Sequence, residues 1–233
     1  MIGQLSFDLP VRPALGREAF FVSPANAMAV VMIENWDQWA GRKLALIGPS
    51  GAGKTHLAHV WAAASGARIV SARDLPDADI PDLARGPIAV EDIPDIAGDR
   101  AAEEALFHLH NLVLAEGHHL LVSADRPVLT WGLTLPDLLS RMQGTQSVTL
   151  QQPDDQLLTA VVAKMFGDRQ LLPSPETIAY MVTHMDRSFD VARALVADID
   201  RAALELKRPV TRALAVEVLK GNAPLGRLDI PDT

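Results

Sequence analysis

Glycine, lysine and threonine residues between positions 48 and 55 are spaced as a phosphate-binding loop requires. The segment reads Gly48-Pro49-Ser50-Gly51-Ala52-Gly53-Lys54-Thr55. Glycines at these positions let successive backbone N–H groups turn towards a phosphate without a Cβ clash. The lysine can reach the β- and γ-phosphate oxygens, and the hydroxyl after it can bind Mg²⁺. The segment therefore predicts a P-loop that binds ADP or ATP with Mg²⁺, and we include His56 in the nucleotide-binding set.

Carboxylates follow two of the apolar runs of the sequence. Glu91 and Asp92 come directly after residues 88–90, where a Mg²⁺ ligand and an acid that orients the attacking water would lie beside a P-loop. We assign Glu91 to the metal together with Thr55, and Asp92 to the water. Asp125 follows a second apolar run and is a further candidate near the γ-phosphate. Solvated acids at loop starts, or a simple Asp turn at Asp125, are the alternatives.

Short apolar runs alternate with helical periodicity before residue 151, which predicts a parallel sheet flanked by helices. The strands are expected over residues 43–47, 68–71, 88–90, 119–123 and 148–150. Helices are expected over residues 24–39, 56–64 and 101–116, the first with Ser23 and Asn26 as capping candidates. The apolar stripe of the third helix consists of Ala105, Leu106, Leu109, Leu112 and Val113.

After residue 151 the patterns are helical only, with start signals near Asp154, at Ser174-Pro175 and after Thr211. The predicted fold class is therefore α/β, a P-loop core followed by a small all-helical lid. We expect an extended tail over residues 1–12, the core over 13–152, the lid over 153–220 and a flexible tail over 221–233.

Composition and charge limit the possible partners. The chain has 21 basic and 29 acidic side chains among 233 residues, a net charge of −8, which argues against a broad surface that binds nucleic acid phosphates. It has no apolar run near the roughly 20 residues that cross a bilayer, and no signal-peptide pattern. The absence of cysteine excludes disulfides and thiol catalysis. We expect a cytoplasmic protein with protein partners, no membrane association and no direct sequence-specific DNA binding.

The order and spacing of the motifs resemble the DnaA/Hda branch of AAA+ proteins, over most of the chain. The motifs beyond the acids are Ile96-Ala97-Gly98-Asp99, Ala124-Asp125-Arg126-Pro127, Gly132-Leu133 and Leu135-Pro136-Asp137-Leu138 with Ser140-Arg141. The resemblance implies an AAA+ core with a helical lid. It also implies that Phe21, Val22 and Asn26, which precede the P-loop, contact the adenine.

The resemblance assigns further roles to Arg141 and to the N-terminal segment. Arg141 would be an arginine finger that reaches across a subunit interface to the γ-phosphate of a neighbour's ATP. A surface arginine that pairs locally is the alternative. Gln4, Leu5, Phe7 and Leu9 resemble the peptide by which such proteins dock on the DNA sliding clamp, and a featureless arm is the alternative.

This sequence departs from its relatives at two positions. Glu91 stands where they carry aspartate, which lengthens the metal-binding side chain. Asp190 stands where their lid carries a sensor arginine, with Arg193 one turn later and Arg187 one turn earlier. We take Arg193 as the candidate phosphate contact, and an acid at Asp190 favours weaker or diphosphate-only binding.

The resemblance thus implies a regulator that binds adenine nucleotide and, with the DNA-loaded clamp, promotes hydrolysis of DnaA-bound ATP to limit replication initiation. The chain ends soon after the lid, without room for a C-terminal DNA-binding domain, so we do not expect an initiator. Two alternatives stay open: an independent P-loop ATPase that acts as a loader or motor, and an adaptor that does not hydrolyse ATP. A homo-oligomer, weak intrinsic ATPase activity and either resident nucleotide are also open.

Overall fold

The structure, a computed structural model, describes residues 11–13 and 19–222. The described residues between 11 and 152 form one compact unit, and those between 153 and 222 belong to a second. The predicted clamp-binding residues Gln4, Leu5, Phe7 and Leu9 lie outside the described residues, as do positions 223–233.

A parallel sheet of five strands forms the centre of the first unit. Before it, β1 (Val11–Pro13) pairs antiparallel with β2 (Ala19–Phe21). The sheet strands are β3 (Lys43–Ile47), β4 (Arg68–Ser71), β5 (Ile88–Glu91), β6 (Leu120–Ala124) and β7 (Gln146–Thr149), and their spatial order is β4-β5-β6-β3-β7. Every residue of β6 is buried, as expected of a strand inside a parallel sheet that helices cover. The predicted strands are confirmed, with β7 starting two residues earlier than expected.

Helices cover this sheet on its two faces. They are α1 (Ala27–Glu34), α2 (Lys54–Ser65), α3 (Ile80–Leu83), α4 (Arg100–Ala115) and α5 (Pro136–Gln143). Trp39 and Trp61 stack in the core that includes α1 and α2, and Leu106 and Leu109 of α4 belong to the other core. Leu112 was predicted on the buried stripe of α4, but it is 38% exposed because the line of residues facing the sheet is 102, 106, 109 and 113.

The first helix is shorter than predicted. It covers Ala27–Glu34 and does not continue to residue 39. The side-chain amide of Asn35 donates to the Val31 carbonyl at 2.8 Å, and the chain continues as two 3-10 turns over Trp36–Gln38 and Ala40–Arg42. Asn26 makes no side-chain capping bond, and Ser23 Oγ accepts from the Ala25 N–H at 3.2 Å. The expected capping by these two side chains is therefore wrong.

The described part of the second unit consists of four helices, which agrees with the all-helical pattern predicted after residue 151. They are α6 (Asp155–Asp168), α7 (Pro175–His184), α8 (Phe189–Leu206) and α9 (Arg212–Asn222). Asp154, Ser174 and Ser188 cap the first three through side-chain hydrogen bonds to backbone N–H groups. Their apolar faces share one core, which includes Phe166, Met181 and Leu195. Within the two described ranges, no helix is both long and apolar enough to span a membrane.

Candidate nucleotide-binding site

The predicted P-loop connects the end of β3 to the start of α2. Gly51 and Gly53 have φ angles of 70° and 100°, a left-handed backbone that other residues adopt only with strain. Gly53 is the N-cap residue of α2 and has no side chain to bond the first amides of the helix. The loop therefore directs backbone N–H groups and a positive helix end to one place, the arrangement that binds phosphate.

Lys54 lies inside this loop, with only 8% of its surface exposed. Its Nζ donates to the carbonyl oxygens of Gly48 at 2.7 Å and Pro49 at 3.1 Å. Thr55 and His56, the next residues of α2, are exposed to solvent. The fold thus holds a cation within the loop and leaves the Thr55 hydroxyl on the accessible side of the helix.

The strand register brings the predicted acids to the same edge of the sheet as the P-loop. Val90 of β5 pairs with Val122 of β6, and Ala124 of β6 pairs with Ile47 of β3. Glu91, Asp125 and Gly48 therefore come at the carboxyl ends of three neighbouring strands, where ligands of open α/β sheets bind.

Glu91 and Asp92 differ in their surroundings. Oε1 of Glu91 is buried and has no hydrogen-bond partner in the described part of the chain. Asp92 is exposed, with a φ of 59°, and its backbone N–H donates to Ser123 Oγ at 3.0 Å. A buried, unsatisfied carboxylate oxygen costs free energy unless a cation or donor reaches it. The donor set of Glu91 and Thr55 therefore fits Mg²⁺, a hard cation that binds oxygen ligands and retains waters.

Asp125 forms an ion pair with the next residue, with 3.5 Å between its Oδ1 and Nε of Arg126. Both side chains are about half exposed, at 53% and 48%. The carboxylate is accessible at the sheet edge, and its part in binding the γ-phosphate stays a prediction.

The segment predicted to contact adenine is ordered by its own side chains. The Ser23 N–H donates to Oδ1 of Asn26 at 2.9 Å, and Nδ2 of Asn26 donates to the Phe21 carbonyl at 3.0 Å. Asn26 is 5% exposed, whereas Phe21 and Val22 are partly exposed. Asn26 therefore shapes this loop with both ends of its amide, and Phe21 and Val22 present the accessible surface.

Backbone hydrogen bonds place this segment near the start of the P-loop. The Gln151 N–H donates to the Ala25 carbonyl at 3.0 Å, and the Leu150 N–H donates to the Ile47 carbonyl at 2.7 Å. Residue 47 is the last of β3, directly before Gly48. A base bound along residues 21–26 would thus lie beside the loop that binds its phosphates, as a mononucleotide requires.

Arg141 lies on α5, exposed to solvent, and its guanidinium makes no ion pair with any described residue. Its carbonyl oxygen accepts from Nζ of Lys43 at 2.9 Å. Lys43 is the first residue of β3, whereas the P-loop follows the last. At about 3.3 Å per residue the two ends of this strand are roughly 13 Å apart. The structure therefore does not bring Arg141 to the P-loop of its own chain.

The candidate lid arginines belong to the second unit. Arg193 pairs with Asp190, one turn earlier on α8, with 3.1 Å between Nη1 and Oδ1. Arg187 pairs with Asp155 at 2.8 Å. Each arginine thus has a local acid partner, and a phosphate contact by Arg193 stays a prediction.

Sequence reasoning missed Glu103, a carboxylate with no exposed surface inside α4. It accepts hydrogen bonds from Gly98, Thr134 and Leu135, which connect two loops of the first unit. Its position offered a signal, because Glu103 comes three residues before Leu106 on the buried side of the helix. An acid on such a stripe indicates a buried polar contact.

The strand order, the P-loop after β3 and the acids at the end of β5 define the class of the fold as AAA+ P-loop. No protein-family model matches the chain. Among solved structures it is similar to domain III of the replication initiation protein DnaA from Thermotoga maritima, with a TM-score of 0.76 and 17% identity over 91% of this chain and 98% of that one.

Two further structures show the same similarity. AMPPCP-bound DnaA from Aquifex aeolicus has a TM-score of 0.69 and 17% identity, over 84% of this chain and 68% of that one. RuvB from Thermotoga maritima has a TM-score of 0.67 and 15% identity, over 84% and 68%. The fold is therefore a DnaA-like AAA+ fold, and the predicted α/β core with a helical part after it is confirmed.

Proposed function

We propose that this protein is an Hda-like regulator, which binds ADP or ATP with Mg²⁺ at residues 49–56 and stimulates hydrolysis of ATP bound to DnaA. One observation carries the proposal: Arg141 is exposed, without an ion-pair partner in residues 11–13 and 19–222, at the sheet edge opposite its own P-loop. A guanidinium placed there can reach the phosphates of a neighbouring molecule but not those of its own nucleotide.

The chemistry of arginine suits this role in the partner's reaction. Negative charge spreads over the γ-phosphoryl oxygens during transfer, and a planar, permanently charged fork stabilises it. A well-placed arginine finger accelerates such hydrolysis about 10³- to 10⁵-fold. Because the partner supplies the P-loop and the attacking water, this chain need contribute only Arg141 and the surface around it.

Nucleotide in this chain's own site would stabilise the surface that carries Arg141. Lys54 and the loop amides would hold the phosphates, and Thr55 with Glu91 would hold Mg²⁺, which neutralises phosphate charge when bound. Phe21, Val22 and Asn26 would form the adenine side, with Asp92 and Asp125 near the γ-phosphate. Asp190 places an acid where relatives carry an arginine, which favours ADP as the resident nucleotide.

The DNA-loaded sliding clamp is the second partner in this proposal. Gln4, Leu5, Phe7 and Leu9 would anchor the chain to a groove of the clamp, with the glutamine held by polar contacts and the others by apolar ones. The support for clamp binding comes only from the resemblance of these four residues to clamp-docking peptides. The result would be ADP-bound DnaA and a limit on repeated initiation.

Single-turnover hydrolysis of labelled ATP on DnaA tests the proposal. DNA-loaded clamp and this protein should together accelerate the conversion, and Arg141→Ala should abolish the acceleration. Arg100→Ala is the matched control, because that arginine is also exposed and its single ion pair with Glu104 on the surface of α4 contributes little. No acceleration by the wild-type protein, or equal acceleration by Arg141→Ala, would contradict the proposal.

An independent ATPase is the second candidate, because Glu91 ends β5 and Asp92 follows it, beside a complete P-loop. Intrinsic turnover that Lys54→Ala abolishes and the clamp leaves unchanged would favour it. An adaptor would instead retain both partners after Arg141→Ala and never accelerate hydrolysis.

A further inference from the structure

Helix α5, which carries Arg141, is too short to be stable by itself. It has eight residues, and an isolated helix of that length is unstable in water. Its N-cap residue Leu135 makes no side-chain capping bond. Leu138 and Met142 are fully buried, and Leu135 and Leu139 pack partly buried against the same core. These apolar contacts fix one face of the helix, and polar contacts at its two ends add to them.

Glu103 of α4 holds the N-terminal end of α5. Its Oε2 accepts from the Leu135 N–H at 2.6 Å, the Thr134 N–H at 2.9 Å and Thr134 Oγ1 at 3.1 Å. A buried carboxylate at this end satisfies backbone donors that the helix itself leaves open and complements the helix dipole. Its Oε1 accepts from the Gly98 N–H at 2.8 Å, so it also holds the loop that follows the acids of β5.

Lys43 of β3 holds the C-terminal end together with Thr145, whose Oγ1 donates to the Arg141 carbonyl oxygen at 2.9 Å. Nζ of Lys43 donates to the carbonyl oxygen of Arg141 at 2.9 Å and lies 3.4 Å from Nε2 of His110. An ammonium group has no lone pair, so Nε2 of the buried His110 accepts, and Nδ1–H donates to Asn111 Oδ1 at 3.2 Å. A cation at the last turn complements the negative end of the helix dipole.

Burial and charge favour this arrangement of protons. Burial lowers the pKa of His110 most, the hydrogen bond to Asn111 opposes this, and the charges of Lys43 and Arg141 lower the pKa further. The imidazole is therefore neutral at neutral pH and is available as the acceptor for Lys43.

We propose that Glu103 and Lys43 are positioning residues for Arg141, which hold α5 by its two ends and set the point from which the guanidinium extends to a neighbour's ATP. The inference rests on the proposed function, because it requires Arg141 to act on a partner. Both residues act through α5 and neither reaches the reacting phosphate, since Glu103 is buried and Lys43 is bonded to the helix backbone.

Four variants test the inference in the DnaA hydrolysis assay with DNA-loaded clamp. Glu103→Gln places an amide N–H₂ against backbone donors, and Lys43→Met keeps the apolar stem but removes the donor. Lys43→Arg keeps a cationic donor. Glu104→Gln is the control, since Glu104 neighbours Glu103 but forms an ion pair with Arg100 on the surface. Arg141→Ala gives the rate of hydrolysis without stimulation.

We expect Glu103→Gln and Lys43→Met each to lower the maximal stimulated rate about tenfold or more, since a misplacement of about 1 Å can cost 100-fold. The concentration for half-maximal stimulation and the affinity for nucleotide should not change. Lys43→Arg should retain most of the rate, and Glu104→Gln all of it. Hydrogen exchange of the amides of residues 134–143 should become faster in both slow variants, with the other helices unchanged.

Wild-type rates for both Glu103→Gln and Lys43→Met, while Arg141→Ala is inactive, would overturn the inference and leave the proposed function intact. A fully active Arg141→Ala would instead remove the proposed function. If Glu103→Gln does not fold, Lys43→Met and Lys43→Arg decide alone. A slow Lys43→Met protein with unchanged exchange in α5 would also contradict positioning.

Discussion

The surroundings of the Glu91 side chain indicate that it binds a ligand. Its Oε1 is buried and lacks a hydrogen-bond partner among residues 11–13 and 19–222, in a fold where most buried polar groups are paired. The neighbouring Asp92 is held in a left-handed conformation, with its N–H bonded to Ser123. Unsatisfied and strained groups of this kind cluster at functional sites. Their place beside the P-loop supports Glu91 as the ligand to Mg²⁺.

Glu91→Gln should therefore affect metal binding more than folding. Mg²⁺ should raise the affinity for ATP at least about tenfold less in this variant than in the wild-type protein. A loss of this size is typical even for a residue that contacts a metal only through one of its ligands. The melting temperature without nucleotide should not decrease, because the substitution keeps the size of the side chain and removes a carboxylate whose buried Oε1 has no hydrogen-bond partner among the described residues. Calorimetric titration with and without Mg²⁺ measures the first effect, and Asp95→Asn, at an exposed ion pair with Arg73, is the control. Unchanged Mg²⁺ dependence would contradict the assignment.

Glu103 makes the stability of the first unit depend on pH. Burial alone would raise its pKa, but hydrogen bonds from Thr134, Gly98 and Leu135 outweigh burial and hold the pKa below its usual value. A carboxylate whose pKa is lower in the folded state contributes stability above its unfolded pKa of about 4.3, and the contribution is lost as pH falls through the folded pKa.

The free energy of unfolding should therefore differ most between wild type and Glu103→Gln at neutral pH. The difference should stay constant down to about pH 5.5 and shrink below it, because the unfolded Glu103 has an ordinary pKa of about 4.3 and begins to protonate about one unit above it. Urea unfolding at a series of pH values measures it. A difference that grows as the pH falls would contradict the stated direction of the pKa shift.

At the scale of the elements, the P-loop depends on how closely β3 approaches the end of β7. A Cβ atom on Gly48 would lie 2.7 Å from the Leu150 carbonyl oxygen and 3.1 Å from Leu150 Cβ. Neither backbone can yield easily, since the Gly48 N–H donates to Ala124 and the Leu150 N–H donates to Ile47. Gly48 is thus required by packing, in addition to the flexibility that the loop needs.

Gly48→Ala should destabilise the first unit by about 1 to 3 kcal/mol, the usual cost of overpacking, and should weaken nucleotide binding. Gly86→Ala is the matched control, because a Cβ there meets nothing within 4 Å, and its effect should stay within about 0.5 kcal/mol. Thermal and urea unfolding compare the two. Equal stability of both variants would contradict this account, because it would show that a Cβ atom at position 48 fits beside Leu150 without cost.

The elements that could be predicted are those with a local signal. The strand before Gly48 and the helix after it follow from residue types within one short segment, and they were correct. Helix α5 has only eight residues and was seen only as a motif around Arg141. The end of α1 was missed because it depends on a bond from Asn35 to Val31, which no apolar periodicity reports.

At the scale of the whole molecule, what the sequence could not predict is long-range pairing. Lys43 and Arg141 are 98 positions apart, and Glu103 and Thr134 are 31 apart. No spacing rule connects such residues, because the sheet order that brings them together is set by the packing of the whole core. The acids were predicted to lie beside the P-loop because they end an apolar strand, and the parallel register of β5, β6 and β3 brings both to one edge of the sheet.

Binding of adenine nucleotide to the purified wild-type protein, measured by calorimetry with ADP and with ATP plus Mg²⁺, tests the central claim most directly. Both nucleotides should bind, and Lys54→Ala should abolish binding while circular dichroism shows retained structure. Lys220→Ala, which removes an exposed lysine near the end of α9, should bind like wild type. A folded wild-type protein that binds neither nucleotide at about 1 mM, the upper end of ordinary substrate KM values, would contradict the account.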